Sequence, residues 1–88
     1  MYTVEAVIRN EIGLHARPAS RFVKLASSFQ SDIKVRKADD QESYDAKSII
    51  SVLQMGALKN NTIVITAEGT DEEQACEGLK KLIEEDVD

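Results

Sequence analysis

Residues 2–8 alternate. Tyr2, Val4, Ala6 and Ile8 fall on one side of the chain, and Thr3, Glu5 and Val7 fall on the other. A period of two with one apolar side predicts a strand with one buried face. The period then changes. Ala19, Phe22, Val23 and Ala26 recur at i, i+3, i+4 and i+7, the stripe of an amphipathic helix. That helix begins near residues 15–16, which puts Pro18 in its first turn, where a missing N–H costs nothing. The polar residues 27–28 and 30–32 end it. Ile33 and Val35 alternate with Lys34 and Arg36 in a second strand. Residues 37–41 read as a polar turn, and a short third strand follows over 42–44. Residues 45–54 form a short helix stopped by Gly56 as a C-terminal cap. Ile63 and Ile65 share one face of a fourth strand over 62–67. The last helix starts at residues 69–70, where Thr70 and Glu73 have the spacing of a capping box, and carries the stripe Ala75, Leu79, Leu82, Ile83.

The order is βαββαβα, an α+β chain without a linker or an internal repeat. Strands that alternate have one dry face, so the three helices should cover that face and leave the other wet. Interlocked right-handed crossovers place the fourth strand between the first and second. The expected sheet is four-stranded, antiparallel and ordered 1-4-2-3. A chain of 88 residues is expected to form one domain over 1–88.

Composition narrows the setting. No run of about 18 apolar residues exists, so no membrane insertion is expected. No basic segment followed by an apolar stretch opens the chain, so no secretory signal is read. The single cysteine, Cys76, excludes an intramolecular disulfide and a multi-cysteine metal site. It falls on an apolar helix face as a small hydrophobe, and a reducing cytoplasmic location fits it.

Charge sharpens the picture. The net charge of −5 argues against nucleic acid as a partner, since a phosphate backbone needs a basic footprint. Residues 68–88 carry nine acids against Lys80 and Lys81, whereas residues 12–24 carry Arg17, Arg21 and Lys24 and no acid. In that basic stretch stands GLHARPAS, residues 13–20, with the only histidine and the only proline of the chain. His15 directly precedes the helix. The first turn leaves backbone N–H groups unpaired and is positive in potential, so an anion beside His15 would meet the amides of Ala16 and Arg17. The Arg17 side chain adds a charge-assisted contact. Gly13 relieves the backbone of the loop. These features suit a covalent phosphohistidine, because imidazole is a good nucleophile near neutral pH and its bond to phosphorus is readily broken. One histidine builds no ordinary zinc site. A Ser-His-Asp arrangement with Ser20 or Ser48 lacks nucleophile-elbow spacing. On spacing alone, His15 as a polar N-terminal cap stands level with His15 as a phosphoryl acceptor.

A second segment is AKSIISVLQMG, residues 46–56. Its five large apolar residues exceed one face of a two-turn helix. Val52 and Met55 suit the core, which leaves Ile49, Ile50 and Leu53 either buried too, in a helix covered all round, or as a second face for docking partners. Ser48 stands where a helix takes an N-cap.

Together these two segments resemble the HPr family, the histidine-containing phosphocarriers of the bacterial sugar phosphotransferase system. The resemblance covers essentially the whole chain. It implies an open-faced β-sandwich. It implies that His15 takes a phosphoryl group on Nδ1 from phosphorylated enzyme I and passes it to enzyme IIA domains, with Arg17 as the supporting cation. Such a protein is a carrier rather than a turnover enzyme, and no metal or cofactor enters. The resemblance further implies that Ser48 is a regulatory site for an HPr kinase/phosphorylase, with a catabolite-control transcription regulator as partner of the modified form. A regulatory carrier of a nitrogen-related phosphotransferase branch is the alternative use of His15. The family's catabolite-repression paralogue has lost the histidine, so His15 argues against it. The longer turn over 37–41 and Met55 depart from the usual pattern without touching the chemistry.

Overall fold

The computed structural model describes residues 1–85. In chain order the elements are β1 (Tyr2–Val7), α1 (Ala16–Ser27), β2 (Asp32–Lys37), β3 (Tyr44–Asp45), α2 (Ile49–Met55), β4 (Thr62–Glu68) and α3 (Glu72–Glu85). The strands form one antiparallel sheet in the order β1-β4-β2-β3. β4 is central, and its register explains the core. Val4 lies opposite Ile65 and Ala6 opposite Ile63 on one side. On the other, Val35 lies opposite Ile65 and Ile33 opposite Ala67. These residues form the floor against which Ala19, Phe22 and Ala26 of α1, Val52 and Met55 of α2, and Ala75, Cys76, Leu79 and Ile83 of α3 are buried. The other face of the sheet carries Thr3, Glu5, Lys34 and Thr66 and is open, with Thr3 Oγ1 and Thr66 Oγ1 3.3 Å apart. The sheet is thus the open-faced arrangement expected, with its three helices on one side.

Cys76 is buried, as its place in the α3 stripe predicts. Its thiol donates to Tyr2 O at 3.3 Å, and burial pushes its pKa up. α3 also reaches around the outer edge of β1. Lys80 Nζ donates to Glu5 O at 2.7 Å, Glu84 Oε2 accepts the Val7 N–H at 3.2 Å, and the two side chains pair at 3.1 Å. Asp86 and Asp88, two of the acids counted in the acidic C-terminal stretch, lie outside the described residues.

Three local expectations need correction. The third strand is Tyr44–Asp45 rather than 42–44, and α2 starts at Ile49 rather than at 45. Asp45 pairs with Lys34 in the sheet, and the Ala46 N–H bonds to Ile33 O at 3.0 Å. Asp45 then turns the chain itself: its Oδ1 accepts the Lys47 N–H at 3.0 Å and its carbonyl accepts the Ser48 N–H at 3.1 Å. An aspartate that bonds forward along the backbone in this way competes with helix and wins here. The helix ends as expected, with Gly56 at φ 65°. At the start of α3 the reciprocal bond is shifted by one residue from the Thr70–Glu73 box. Glu72 Oε1 accepts the Gly69 N–H at 3.1 Å. Asp71 is drawn away to the α1–β2 connection, where it accepts from Gln30 N–H at 2.9 Å, Ser31 N–H at 3.0 Å and Ser31 Oγ at 2.5 Å.

Candidate functional site

The site is built on the loop between β1 and α1. Asn10 is buried at its start: Oδ1 accepts the Ile12 N–H at 2.9 Å and its carbonyl accepts the Gly13 N–H at 3.1 Å. Gly13 adopts φ 75°, where a side chain is strained, and a Cβ there would lie 2.5 Å from Ala57 O and 2.8 Å from Leu58 Cα. Its lack of a side chain lets the loop lie against the segment that follows α2. The next residue fastens it, since the Leu14 N–H bonds to Ala57 O at 2.9 Å and the Leu14 side chain is buried. With Leu14 pointing in, His15 points out.

His15 occupies the N-cap position of α1 with extended backbone, φ −144° and ψ 153°, and makes no side-chain cap hydrogen bond. The polar-cap alternative is therefore not realised in this structure. The imidazole is exposed. The backbone N–H of His15 donates to Gly13 O at 3.0 Å. Pro18 has no N–H to offer. That leaves the amides of Ala16 and Arg17, the first two residues of α1, as the donors without an intrahelical partner. No acid stands in the first turn to compete for them. Arg17 is exposed, and its guanidinium meets no carboxylate among the described residues. Imidazole, guanidinium and two amides thus share one helix end, a set of groups suited to hold three anionic oxygens around an atom bound to nitrogen. Among the described residues no group of three or more His, Cys, Asp or Glu side chains gathers as a metal cluster would.

α2 packs against α1. Val52 and Met55 are buried, while Ile49, Ile50 and Leu53 are exposed by 39%, 67% and 38%. Ser48 caps this helix, its Oγ accepting the Ser51 N–H at 3.3 Å. Two further apolar residues escaped sequence reasoning. Ile12, 55% exposed, and Leu58, 62% exposed, come from the two loops that Gly13 brings into contact, and an ion pair between Glu11 and Lys59 ties those loops together. Ile12 stands between Glu11 and Gly13 and Leu58 between Ala57 and Lys59, and neither belongs to a periodic stripe. Only the contact of Gly13 with Ala57 and Leu58 makes them neighbours, and no local signal carries that contact.

Comparison with known proteins accords with this arrangement. The family profile described as "PTS HPr component phosphorylation site" matches residues 2–85. The phosphocarrier protein HPr of Mycoplasma pneumoniae is 38% identical over 84 residues, covering 96% of this chain and 94% of its own. Among solved structures, HPr-C-His from Thermoanaerobacter tengcongensis superposes with a TM-score of 0.90 at 45% identity, covering 96% of this chain and 92% of that one. The phosphocarrier protein HPr from Bacillus anthracis gives a TM-score of 0.88 at 34% identity over 93% and 95% of the two chains.

Proposed function

The chain belongs to the HPr family of phosphocarriers of the phosphotransferase system, and on that premise we propose that His15 is its phosphoryl acceptor, charged by enzyme I and discharged by enzyme IIA domains in sugar uptake. The observation that carries this reading is the exposed imidazole at the start of α1, unengaged in capping, beside Arg17 and the first two amides of a helix, which have no intrahelical acceptor. In the forward step a lone pair of the neutral imidazole, at Nδ1 by family likeness, forms a bond to phosphorus. The bond from phosphorus to the donor's nitrogen breaks, and its electron pair stays with the donor. The second transfer repeats this with His15 as leaving group. The amides of Ala16 and Arg17 and the Arg17 guanidinium stabilise the oxygens as charge redistributes. Because the bonds made and broken are alike, transfer runs in either direction and the protein acts as a carrier.

Successive partners must reach one nitrogen, so one surface serves both. Ile49, Ile50 and Leu53 supply its apolar part, and Ile12 and Leu58 extend it. Ser48 is read as a regulatory serine. A phosphate there adds about −1.5 to −2 charges beside that surface, and the group must be desolvated when an apolar partner docks. Enzyme I would then bind less well, while a transcription regulator with a basic surface would bind better.

The test is incubation with phosphoenolpyruvate and enzyme I, read by intact mass. The expected result is one acid-labile phosphoryl adduct, absent from a folded His15→Ala variant. An adduct that persists in that variant assigns the chemistry elsewhere. Equal transfer rates to Ser48-phosphorylated and unmodified protein would remove the inhibitory role of Ser48 alone.

A further inference from the structure

The residue before Ser48 already holds the far end of α1. Lys47 Nζ donates to the carbonyl oxygen of Phe29 at 2.8 Å. Phe29 follows Ser28, the C-cap of α1, and its own N–H bonds back to Ala26 O at 3.2 Å. A half-buried ammonium thus sits on the negative end of the helix whose positive end carries His15. The backbone on either side of the lysine is fixed, because Asp45 accepts both the Lys47 and the Ser48 N–H. What remains free to move is the four-carbon stem with its rotatable donors.

Resting on the reading of Ser48 as a phosphorylated serine, we propose that Lys47 relays that modification to α1: its ammonium leaves the Phe29 carbonyl and pairs with the phosphate. The Phe29 oxygen is a neutral dipole, whereas the phosphate brings about −1.5 to −2 charges and three strong acceptor oxygens one residue away. A cation within reach of both goes to the anion. The anchor of the new group is also defined, since Ser48 Oγ lies at the start of α2, 3.3 Å from the Ser51 amide nitrogen. Once Lys47 has moved, the end of α1 keeps the bonds of Ser28 N–H and Ser28 Oγ to Leu25 O but loses its cation at Phe29. The modification is then felt on α1 as well as at the docking surface.

The test inserts phosphoserine at position 48 during translation, so no kinase is needed, in proteins with Lys47, Lys47→Met or Lys47→Arg. Two signals are read: the carbonyl carbon resonance of Phe29 and the phosphorus titration of the phosphoserine. In the Lys47 protein, phosphorylation is expected to move the Phe29 resonance to where it stands in unmodified Lys47→Met. The second phosphate pKa should lie a few tenths lower with Lys47 than with Lys47→Met, the size of one partly exposed ion pair, and Lys47→Arg should restore the lower value. A Phe29 resonance unmoved by phosphorylation, or a phosphate pKa indifferent to Lys47→Met, overturns the relay. Transfer from enzyme I to the same proteins reads the inhibitory role of Ser48 separately: that role fails on equal rates, the relay only on the carbonyl and phosphate signals.

Discussion

The carbonyl oxygen of Ala57 lies 2.5 Å from where a Cβ on Gly13 would stand. That approach positions His15, because the adjoining Leu14 N–H bonds to the same oxygen. Gly13→Ala must both adopt a left-handed backbone and push the loops apart. The expected loss is about 2–5 kcal/mol of folding stability, the sum of the backbone and overpacking costs. Phosphoryl transfer should slow in whatever protein still folds. Urea unfolding and single-turnover transfer measure the two effects, and an unchanged midpoint would show that the loops part without cost.

Arg17 is exposed and meets no carboxylate among the described residues, so its removal should leave the fold intact. Arg17→Ala should slow transfer about ten- to hundredfold, corresponding to about 1–3 kcal/mol for a charge-assisted contact in the transition state. Transfer persists because the two amides remain. Rapid-quench kinetics with phospho-enzyme I decide it, and a wild-type rate would make Arg17 a solvated side chain only.

Leu53 shares its helix with the buried Val52 and Met55 yet is 38% exposed. Leu53→Glu should weaken binding to enzyme I and to an enzyme IIA domain alike, with stability changed by less than about 1 kcal/mol. Calorimetric titration against each partner provides the measurement. Normal binding with a large loss of stability would return Leu53 to the core.

Asp71 predicts a pH dependence. The bond from Ser31 Oγ, followed by the backbone bonds from Gln30 and Ser31, holds its carboxyl below the ordinary value of 3.8. A carboxyl depressed in the folded state contributes stability that is fully present above its unfolded pKa and is lost as pH falls through the folded one. Asp71→Asn should therefore be less stable than the parent at neutral pH. The gap should narrow once the pH drops below about 4. Urea unfolding of both proteins at several pH values checks this, and a gap independent of pH would assign the loss to geometry instead of charge.

The parts legible in the sequence are those carried by periodicity. The alternation of residues 2–8 and the stripe Ala19, Phe22, Val23, Ala26 each name a buried face correctly, and the topology follows from helices that must share one side of the sheet. Gly13, Leu14 and His15 give the site its position in the chain. Crowding on α2 separates Val52 and Met55 from Ile49, Ile50 and Leu53, but that the second set is exposed instead of buried all round is visible only in the structure. What escaped is what depends on partners distant in sequence. Asp71 has the spacing of a helix-start residue but bonds to Ser31, forty positions away, so the expected box shifted to Glu72 and Gly69. Asp45 reads as helix in the sequence because its forward bonds to Lys47 and Ser48 span too few residues for any period to show.

The Lys80–Glu84 pair on β1 has a consequence for how this protein keeps company with itself. One side chain donates to Glu5 O and the other accepts from Val7 N–H. Those are the two contacts that a single residue of a parallel strand would make across Ala6. The helix thus impersonates one residue of a fifth strand, and the sheet stops growing there without having found a neighbour. A stranger's backbone arriving at this rim must first evict an ion pair from its hydrogen bonds. For a molecule whose work is to collide briefly with one protein and leave for another, that counterfeit strand favours solitude between encounters.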